Sequence, residues 1–428
     1  APIRNLGLII IDEEHESSYK QTMPAPRYNA KDVAKKLCEL YDAKLVLGSA
    51  TPSIESYYEA INTNSLFKLK TRFNNAQLPK VIVIDMKTER QEKNYTLFSR
   101  TLQKYTKETI ENGNQVIFLI NRRGFSSYTQ CMECGEVLMC EKCAIPLIYH
   151  LQTDSYKCHY CNFEQKNEMK CPKCGSTALE NFGMGSQKAE AAARQFFPEY
   201  RIERLDSDSL SKKNEHIEIL KRFQNKEIDI LIGTQMIAKG LDNKNVTLVG
   251  VINADLSFNL PDYRSSERGF SILTQVAGRS GRGEKEGKVI FQTYNSENIF
   301  LKNAQEQDYE NFYENEIQMR EMLDYPPFSK MIRIILSSKN EFRAEKSAAE
   351  IELHLTDYLK KLSLDETILV LGPVECVLKK IREEFRYNII VKNKLGEKGH
   401  QTVLRFLKSI QLPEDIKMIV DIDPSDIL

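Results

Sequence analysis

The sequence has no excess of charge of either sign. Its 428 residues include 60 lysines and arginines and 60 aspartates and glutamates, so the formal net charge is zero. A chain that binds nucleic acid through its overall charge is strongly basic. The balanced composition excludes that mode of binding, and any nucleic-acid surface has to be local.

Long apolar runs are also absent. No stretch of 18 consecutive apolar residues occurs, so we expect no segment that spans a membrane. The first residues, Ala1 to Arg4, show neither a secretory signal nor an initiator methionine. We therefore expect the chain to be a fragment of a longer protein.

Cysteine is concentrated in one segment. Eight of the ten cysteines lie between Cys131 and Cys174 as four Cys-x-x-Cys pairs. Without a secretory signal, this clustering indicates metal ligands rather than disulfides and predicts a reducing, cytoplasmic location. Cys38 and Cys376 lie in an amphipathic and an apolar stretch, and we interpret both as small buried side chains.

Strand and helix patterns alternate along the chain, which predicts an α/β fold. Residues 6–11 are a continuous apolar run, typical of a strand buried on both faces of a parallel sheet. A polar helix over 297–323 ends before Tyr325-Pro326-Pro327, which we interpret as a linker. The predicted parts are a first lobe at 1–90, a second lobe at 91–130 and 175–325, a cysteine-rich module at 131–174 inserted into it, and a small α+β domain at 326–428.

An acidic turn, Asp12-Glu13-Glu14-His15, follows the first apolar strand directly. A site for phosphoryl transfer needs one acidic residue at a strand end to hold Mg²⁺ and a second carboxylate to orient the attacking water. Asp12 fits the first role and Glu13 the second. The alternative is an acidic turn without a catalytic role, which is a common feature after strands.

Two later segments favour the catalytic interpretation. Residues 48–53, Gly-Ser-Ala-Thr-Pro-Ser, follow the next strand and are candidates either to join the two lobes or to cap a helix. Residues 275–283, Gln-Val-Ala-Gly-Arg-Ser-Gly-Arg-Gly, place Arg279 and Arg282 on one helical face. Such arginines reach a γ-phosphate across a cleft, or they form a basic helix end in solvent.

In this order the motifs resemble those of superfamily 2 helicases. The segments SSYKQTMPAPRYNAKDVA, NRRGFSSYTQC and PDYRSSERGFSILTQVAGR resemble the PriA family in particular, and the resemblance covers essentially the whole chain. It implies two RecA-like lobes, the first incomplete, and ATP-driven 3′–5′ movement on single-stranded DNA. It also implies recognition of forked DNA and assembly of the primosome, with the single-stranded-DNA-binding protein and other primosome proteins as partners of a monomer.

The resemblance further implies site residues, which fall into two groups. The nucleotide group, for ATP and Mg²⁺, comprises Asp12, Glu14, His15, Gly240, Asp242, Gln275, Arg279 and Arg282. The DNA group comprises Tyr19, Lys20, Arg27, Tyr28, Arg122, Arg123, Ser186, Lys188, Thr234 and Gln235. Tyrosines stack on bases while Lys and Arg hold phosphates, although the tyrosines after the acidic turn also fit simple packing on the adjacent helix.

The sequence departs from the family in two places. No Gly-x-x-x-x-Gly-Lys-Ser/Thr loop occurs, since the nearest match has Arg282 and Val289 at two required positions. We expect this loop and the N-terminal DNA-binding domains to lie upstream, and this fragment alone to hydrolyse ATP poorly. The second departure is Ser186-Gln187 where the family usually has Thr-Glu, although Ser186 still fits a helix N-cap.

Eight cysteines in four pairs supply two Cys₄ zinc sites, because one Zn²⁺ takes four ligands. The pairs Cys131/Cys134 and Cys171/Cys174 are each followed by Gly, whereas Cys140/Cys143 and Cys158/Cys161 are not. Like knuckles predict nested pairing, and the family implies the same arrangement. If Cys131/Cys134 and Cys140/Cys143 shared one ion, only five residues would separate the two pairs. We interpret His150 and His159 as surface residues.

Two other functions remain open. The chain could be mainly a zinc-stabilised platform for forked DNA and the single-stranded-DNA-binding protein, or a double-strand translocase of superfamily 2. The four cysteine pairs argue against the translocase. The acidic turn with paired arginines argues against a mere platform for the intact protein.

Overall fold

The computed structural model describes residues 5–69, 79–120, 128–168, 170–182, 186–205, 215–234, 237, 243–278 and 287–427. For Phe182 and Ser186 it describes the backbone alone. The strands in these residues are β1 (Leu8–Ile11), β2 (Lys44–Leu47), β3 (Lys80–Asp85), β4 (Gln115–Leu119), β5 (Tyr128–Cys131), β6 (Ile148–His150), β7 (Ser155–Lys157), β8 (Glu164–Lys166), β9 (Leu179–Phe182), β10 (Ile202–Leu205), β11 (Ile230–Gly233), β12 (Val246–Val251), β13 (Lys288–Thr293), β14 (Lys330–Ser338), β15 (Ile368–Ile381), β16 (Glu384–Asn393) and β17 (Lys417–Ile422).

The α-helices alternate with these strands over much of the chain. They are α1 (Ala30–Tyr41), α2 (Ile54–Asn62), α3 (Met86–Gln91), α4 (Arg100–Glu111), α5 (Ser186–Phe196), α6 (Glu215–Gln224), α7 (Asp255–Phe258), α8 (Ser265–Ala277), α9 (Ile299–Glu306), α10 (Tyr309–Met322), α11 (Glu341–Lys361) and α12 (Glu397–Ser409). Within the described part of the chain, no helix combines the length and the apolar composition needed to cross a membrane. The predicted fold class, α/β with a C-terminal α+β domain, is confirmed.

The first lobe contains the parallel pair β1–β2 and the helices α1 and α2. Leu8 and Ile10 on β1 are 51% and 65% exposed. The prediction that β1 is buried on both faces is therefore wrong for the described residues, in which β2 is its partner in a two-stranded sheet. An apolar run indicates that a strand favours burial, but the neighbouring strands determine whether the faces of that strand are covered.

The second lobe is built on a six-stranded parallel sheet of order β10-β11-β4-β12-β13-β3. Successive residues of β4 are buried on opposite faces, so Phe118 packs in one apolar core and Leu119 in another. The helices α4 and α5 contribute to the first core, and α6, α8 and α9 contribute to the second. Two covered faces explain why β4 has five buried residues in succession.

The edge strand β3 corrects the predicted domain boundary. The sequence pattern places residues 80–85 in the first lobe, but β3 pairs in parallel with β13 from Lys80 to Asp85. Parallel neighbours need a long crossover, so their pairing joins residues that are far apart in sequence. The first lobe therefore ends before residue 80.

The cysteine-rich module leaves the second lobe through β5 and returns through β9, and these two strands pair antiparallel. Its centre is the three-stranded antiparallel sheet β6-β7-β8. The C-terminal domain is an antiparallel sheet of order β15-β16-β14-β17, covered on one face by α11 and α12. Its other face presents Met331 and Ile390 to the cysteine-rich module.

The segment before the C-terminal domain is two helices rather than the single predicted helix. Gln307 has a φ of 55°, which ends α9, and the side chain of Asp308 accepts a hydrogen bond from Asn311 N at 3.0 Å to start α10. A left-handed residue followed by an N-cap interrupts a helix even where the polar pattern continues.

Candidate functional site

The acidic turn lies where the carboxyl ends of β1 and β2 meet. Gly48 N donates to Ile11 O at 2.8 Å, and Glu14 N donates to Gly48 O at 3.1 Å, so the two strand ends are joined through their backbones. Glu13 has a φ of 47°, a left-handed conformation that a non-glycine residue adopts only at a cost. The turn leaves Asp12 exposed and Glu13 half-buried, as a site for an ion or water requires.

Glu14 is the buried residue of this turn, with 1% of its surface exposed. Its carboxylate accepts hydrogen bonds from Ser53 N at 2.5 Å, from the hydroxyls of Ser53 and Ser56 at 3.0 and 2.9 Å, and from Lys31 Nζ at 2.7 Å. Burial alone would raise the pKa of Glu14, but Lys31 and the hydrogen bonds hold it below its usual value. In the described structure, Glu14 fixes the turn to the start of α2.

His15 joins the acidic turn to the second lobe. Its Nδ1 lies 2.7 Å from Ser49 Oγ, and its Nε2 lies 3.0 Å from Gln275 Nε2. Because the amide nitrogen of Gln275 is a donor, Nε2 accepts and Nδ1–H donates to Ser49. Three of the predicted motifs therefore meet at one imidazole.

The helix α8 contacts the first lobe along one face. Glu267, Ser271 and Gln275 are four residues apart, so they lie above one another on the helix. Glu267 Oε1 accepts from Ile54 N at 3.1 Å, and the hydroxyls of Ser271 and Thr51 are 3.0 Å apart. Gln275 completes the row through His15, and α8 ends at Ala277, with Gly278 as its C-cap immediately before Arg279.

A cluster of buried charges lies beside this face. Arg320, which is 1% exposed, is 2.7 Å from Glu267, 3.2 Å from Glu55 and 2.9 Å from Glu316. Arg264 lies 2.8 Å from Glu55 and 3.4 Å from Glu267. The cluster joins α2 of the first lobe to α8 and α10, and Arg320 also donates to Pro326 O at the start of the C-terminal domain.

The predicted DNA-contact residues have different surroundings. Tyr19 OH donates to Asp12 O at 2.7 Å, Tyr28 is 45% exposed, and Arg27 is half-buried. Lys20 is only 8% exposed, and its ammonium lies 2.9 Å from Asp421 of the C-terminal domain. This pairing occupies the group that would hold a phosphate.

The other predicted DNA contacts lie on the second lobe. Lys188 is exposed on α5, which begins at Ser186, and Thr234 is half-buried after β11. Their roles stay predictions, and the remaining predicted site residues lie outside the described part of the chain: Arg122, Arg123, Gln235, Gly240, Asp242, Arg279 and Arg282.

A cavity of about 560 Å³ opens beside the acidic turn. His15 and Lys20 border it from the first lobe, Arg268 and Gln275 from α8, and Ser425 from the C-terminal domain. Three parts of the chain therefore meet around one space next to the predicted nucleotide residues.

The eight clustered cysteines form two tetrads. Cys131, Cys134, Cys171 and Cys174 make the outer tetrad, and Cys140, Cys143, Cys158 and Cys161 make the inner tetrad. Within each tetrad all sulfur atoms lie within 4.8 Å of one another, which fits tetrahedral Zn²⁺ with four thiolates. The predicted nested pairing is confirmed, and both tetrads fit structural zinc because four thiolates leave no open position for water.

Two glycines shape the outer tetrad, since Gly135 and Gly175 have φ values of 77° and 72°. The prediction that Cys38 and Cys376 are small buried side chains is confirmed, with 8% and 2% of their surfaces exposed.

The surface position predicted for His159 is wrong. It is 4% exposed, its Nε2 lies 3.0 Å from that of His150, and its Nδ1 lies 2.8 Å from Glu375 O of the C-terminal sheet.

Three family models match the chain. The Primosomal protein N C-terminal domain matches residues 321–425, the Helicase conserved C-terminal domain matches 181–284, and the PriA DNA helicase Cys-rich region (CRR) domain matches 140–166. Replication restart protein PriA of Bacillus subtilis is 42% identical over 395 residues, which cover 92% of this chain and 48% of that protein. The protein of the same name in Synechocystis is 40% identical over 435 residues, covering 100% of this chain and 52% of the relative.

The chain belongs to the PriA family. It spans about half the length of these two curated relatives. The CRR match lies within the cysteine-rich module, and the helicase C-terminal match includes β10, β11 and β12 of the six-stranded sheet. Saccharomyces cerevisiae Dbp5 bound to RNA and ADP BeF3 is 12% identical, over 74% of this chain and 63% of that chain, and its TM-score of 0.37 is too low to support an argument.

Sequence reasoning did not select the charged residues that join the lobes of this PriA-family chain. Glu267, Arg264 and Arg320 contact the helix that follows the Ser-Ala-Thr motif, yet none was a predicted site residue. The spacing of Glu267, Ser271 and Gln275 by four residues was the available signal, since Gln275 was already selected. Arg320 has a local partner in Glu316, four residues earlier, but that spacing does not predict its contacts with Glu55 and Glu267, which are distant in sequence.

Proposed function

We propose that this chain is the part of an ATP-dependent DNA helicase of replication restart that contains the acidic turn and the second motor lobe. The proposed enzyme moves 3′–5′ on single-stranded DNA, acts at forked DNA and helps to load the replicative helicase. Its proposed partners are the single-stranded-DNA-binding protein and other primosome proteins, and its proposed form is a cytoplasmic monomer. The PriA family membership and the helicase C-terminal domain support this proposal.

The proposed catalytic roles follow from the chemistry of phosphoryl transfer. Asp12 is exposed at the end of β1, where a carboxylate is suited to hold Mg²⁺, and Glu13 beside it is suited to orient the attacking water. Arg279 and Arg282 stabilise the charge that develops on the γ-phosphate. A bound ATP with Mg²⁺ supplies the phosphoryl group, and these side chains orient and stabilise it.

The observation that carries the proposal is the hydrogen bond between His15 and Gln275. It joins the acidic turn directly to α8, the helix whose end leads into the two arginines. A motor that closes two lobes on one nucleotide needs such a contact, because carboxylates from one lobe and arginines from the other have to reach the same phosphate.

DNA binding is proposed to reach the same turn through Tyr19. Its hydroxyl donates to the backbone carbonyl of Asp12, so a base that displaces the Tyr19 ring also disturbs the acidic turn. In Tyr19→Phe we expect DNA binding to persist while the stimulation of ATP turnover by DNA falls. Unchanged stimulation would leave only a packing role for the tyrosine.

The test uses the natural gene product that contains this chain. Its ATP turnover is measured with and without single-stranded DNA, and its polarity on duplexes with a 3′ or a 5′ single-stranded tail. We expect DNA-stimulated turnover that falls about 10³-fold in Arg279→Ala and in Arg282→Ala. Arg222→Ala, which removes a surface partner of Glu203 on the second lobe, is the control and is expected to retain activity.

Each result bears on the proposal. Turnover that is absent, or unaffected by either arginine variant, would overturn the catalytic assignment, and tight fork binding without turnover would favour the zinc-stabilised platform. The chain of 428 residues, measured alone, is expected to hydrolyse ATP poorly because it contains no Gly-x-x-x-x-Gly-Lys-Ser/Thr loop.

A further inference from the structure

The start of α2 is capped from two different lobes. Ser53 is the N-cap residue by position, but its side chain makes no capping hydrogen bond. Instead, Ser53 N donates to Glu14 of the acidic turn, and Ile54 N donates to Glu267 of α8. The first N–H groups of a helix have no partner within the helix, and carboxylates near this end stabilise it.

Glu267 is held in place for this contact by two arginines. Oε1 faces Ile54 N, while Oε2 lies 2.7 Å from Arg320 Nη2 and 3.4 Å from Arg264 Nη1. Burial alone would raise the pKa of Glu267, but the charges of Arg320 and Arg264 lower it to about 2. The carboxylate is therefore ionised at neutral pH, and its three contacts hold it in this orientation.

The position of Glu267 on α8 connects this cap to the proposed catalytic residues. Ser271 and Gln275 lie one and two turns further along the same face and contact Thr51 and His15. All three contacts fix α8 in one register against the turn that carries Asp12 and Glu13. A shift of this register would move Gly278, and with it the start of the arginine segment, relative to the acidic turn.

We propose that Glu267, oriented by Arg320, is a positioning residue for ATP turnover, which acts by capping α2 from the opposite lobe and so setting the acidic turn against α8. This inference rests on the proposed function. Glu267 contacts a backbone amide and two arginines rather than the reacting atoms, so it acts through the geometry of the turn. Misplacement of reacting groups by about 1 Å is sufficient to slow a reaction of this kind.

Glu316 offers a matched control within the same cluster. Its Oε1 accepts from Arg320 Nε at 2.9 Å, and its side chain is 2% exposed, so it shares the burial and the arginine of Glu267. Within the described residues, however, Glu316 makes no hydrogen bond or ion pair to α2. Glu316→Gln therefore perturbs the charge cluster without removing the cap.

The experiment compares Glu267→Ala, Glu267→Gln and Glu316→Gln in the natural gene product. Steady-state ATP turnover with saturating single-stranded DNA gives kcat and KM for ATP. We expect kcat to fall about tenfold in Glu267→Ala with KM within about twofold, because the affected interaction matters for the chemical step. The kcat of Glu267→Gln is expected to lie between those of this variant and the wild type, since one side-chain amide cannot accept hydrogen bonds from both Ile54 N and Arg320.

Hydrogen exchange at the start of α2 provides a readout that does not depend on activity. The peptide containing Ile54 and Glu55 is expected to exchange faster in both Glu267 variants and at the wild-type rate in Glu316→Gln. If Glu267→Ala does not fold, Glu267→Gln supplies both measurements.

The outcomes are distinct. Faster exchange with unchanged kcat, or a rise in KM at unchanged kcat, would overturn the positioning role while the helicase assignment stands. An equal loss of kcat in Glu316→Gln would also overturn it, since that result indicates a general effect of the cluster. A wild-type protein without ATP turnover would overturn the proposed function and this inference together, whereas the exchange data would still report whether the cap exists.

Discussion

Lys20 Nζ lies 2.9 Å from Asp421 Oδ1 and 2.6 Å from the carbonyl oxygen of Ile422, a residue 402 positions later in the chain. The contact joins the loop after the acidic turn to β17 of the C-terminal domain. Lys20 is 8% exposed, so its charge is compensated by these partners and by Arg27 O rather than by water. A residue selected for DNA binding is thus part of an interdomain contact.

The first prediction concerns this pair. Lys20→Met is expected to lower the free energy of unfolding by about 3 kcal/mol, because it removes the ion-pair partner of the mostly buried Asp421 carboxylate. Lys35→Met is the control, since Lys35 pairs with Glu59 on the surface. This change is expected to lower the free energy of unfolding by less than about 1 kcal/mol. Calorimetric unfolding tests both. If Lys20→Met lost DNA affinity while its stability was unchanged, that result would support a role for Lys20 in DNA binding instead.

The second prediction concerns the order of zinc release. Cys174 of the outer tetrad is exposed, whereas three inner cysteines are buried and the fourth is half-buried against the C-terminal domain. We expect a chromogenic chelator to remove two zinc ions per chain in two phases, the outer ion first. Cys174→Ser is expected to abolish the fast phase and Cys143→Ser the slow one. A single phase, or one zinc ion by elemental analysis, would contradict the assignment.

The third prediction uses the two glycines of the outer tetrad. A Cβ on Gly135 would lie 2.1 Å from Tyr294 O, whereas a Cβ on Gly175 would have nothing within 4 Å. Both residues have positive φ, so Gly175→Ala is expected to cost about 1 kcal/mol through backbone strain alone. Gly135→Ala is expected to cost more and to weaken zinc binding, because the knuckle has to move away from the second lobe. Equal losses in the two variants, measured by zinc content and thermal unfolding, would refute the close contact.

The fourth prediction concerns pH. The pKa of Glu267 is about 2 in the folded protein and near 4.5 when unperturbed, so its ionised form stabilises the fold above about pH 4.5. That contribution is lost as the pH falls from 4.5 towards 2, because the folded carboxylate then has to be protonated. The difference in unfolding free energy between wild type and Glu267→Gln is expected to shrink by about 3 kcal/mol across this range. Any loss of zinc in acid would affect both proteins alike, so the difference isolates Glu267, and a constant difference would contradict its lowered pKa.

The zinc module was the most predictable part of the molecule. Ligand number, pair spacing and the glycines after Cys134 and Cys174 are local in sequence, and tetrahedral thiolate chemistry limits how four pairs combine. The alternation of strands and helices was predictable for the same reason. Each of these inferences depends on residues that are near neighbours in the chain.

Contacts between distant segments were not predictable in this way. The pairing of β3 with β13, the burial of His159 against the C-terminal sheet and the ion pair of Lys20 with Asp421 each join residues far apart in sequence. Charge patterns do not specify such partners, since a lysine in a loop suits a phosphate and a buried aspartate equally well. The break before Asp308 was predictable in principle, because aspartate is a preferred N-cap residue.

The nesting of the two tetrads also has a mechanical consequence. The outer tetrad and the β5–β9 pairing hold together the two points where the cysteine-rich module leaves and re-enters the second lobe. With zinc bound, tension applied between these two points would be borne by the β5–β9 hydrogen bonds and the outer zinc–sulfur bonds, and the inner tetrad would carry no load until they break. When a single molecule is pulled from the two sides of this insertion, its extension is expected to show two steps, the longer loop between the outer knuckles being released before the inner one.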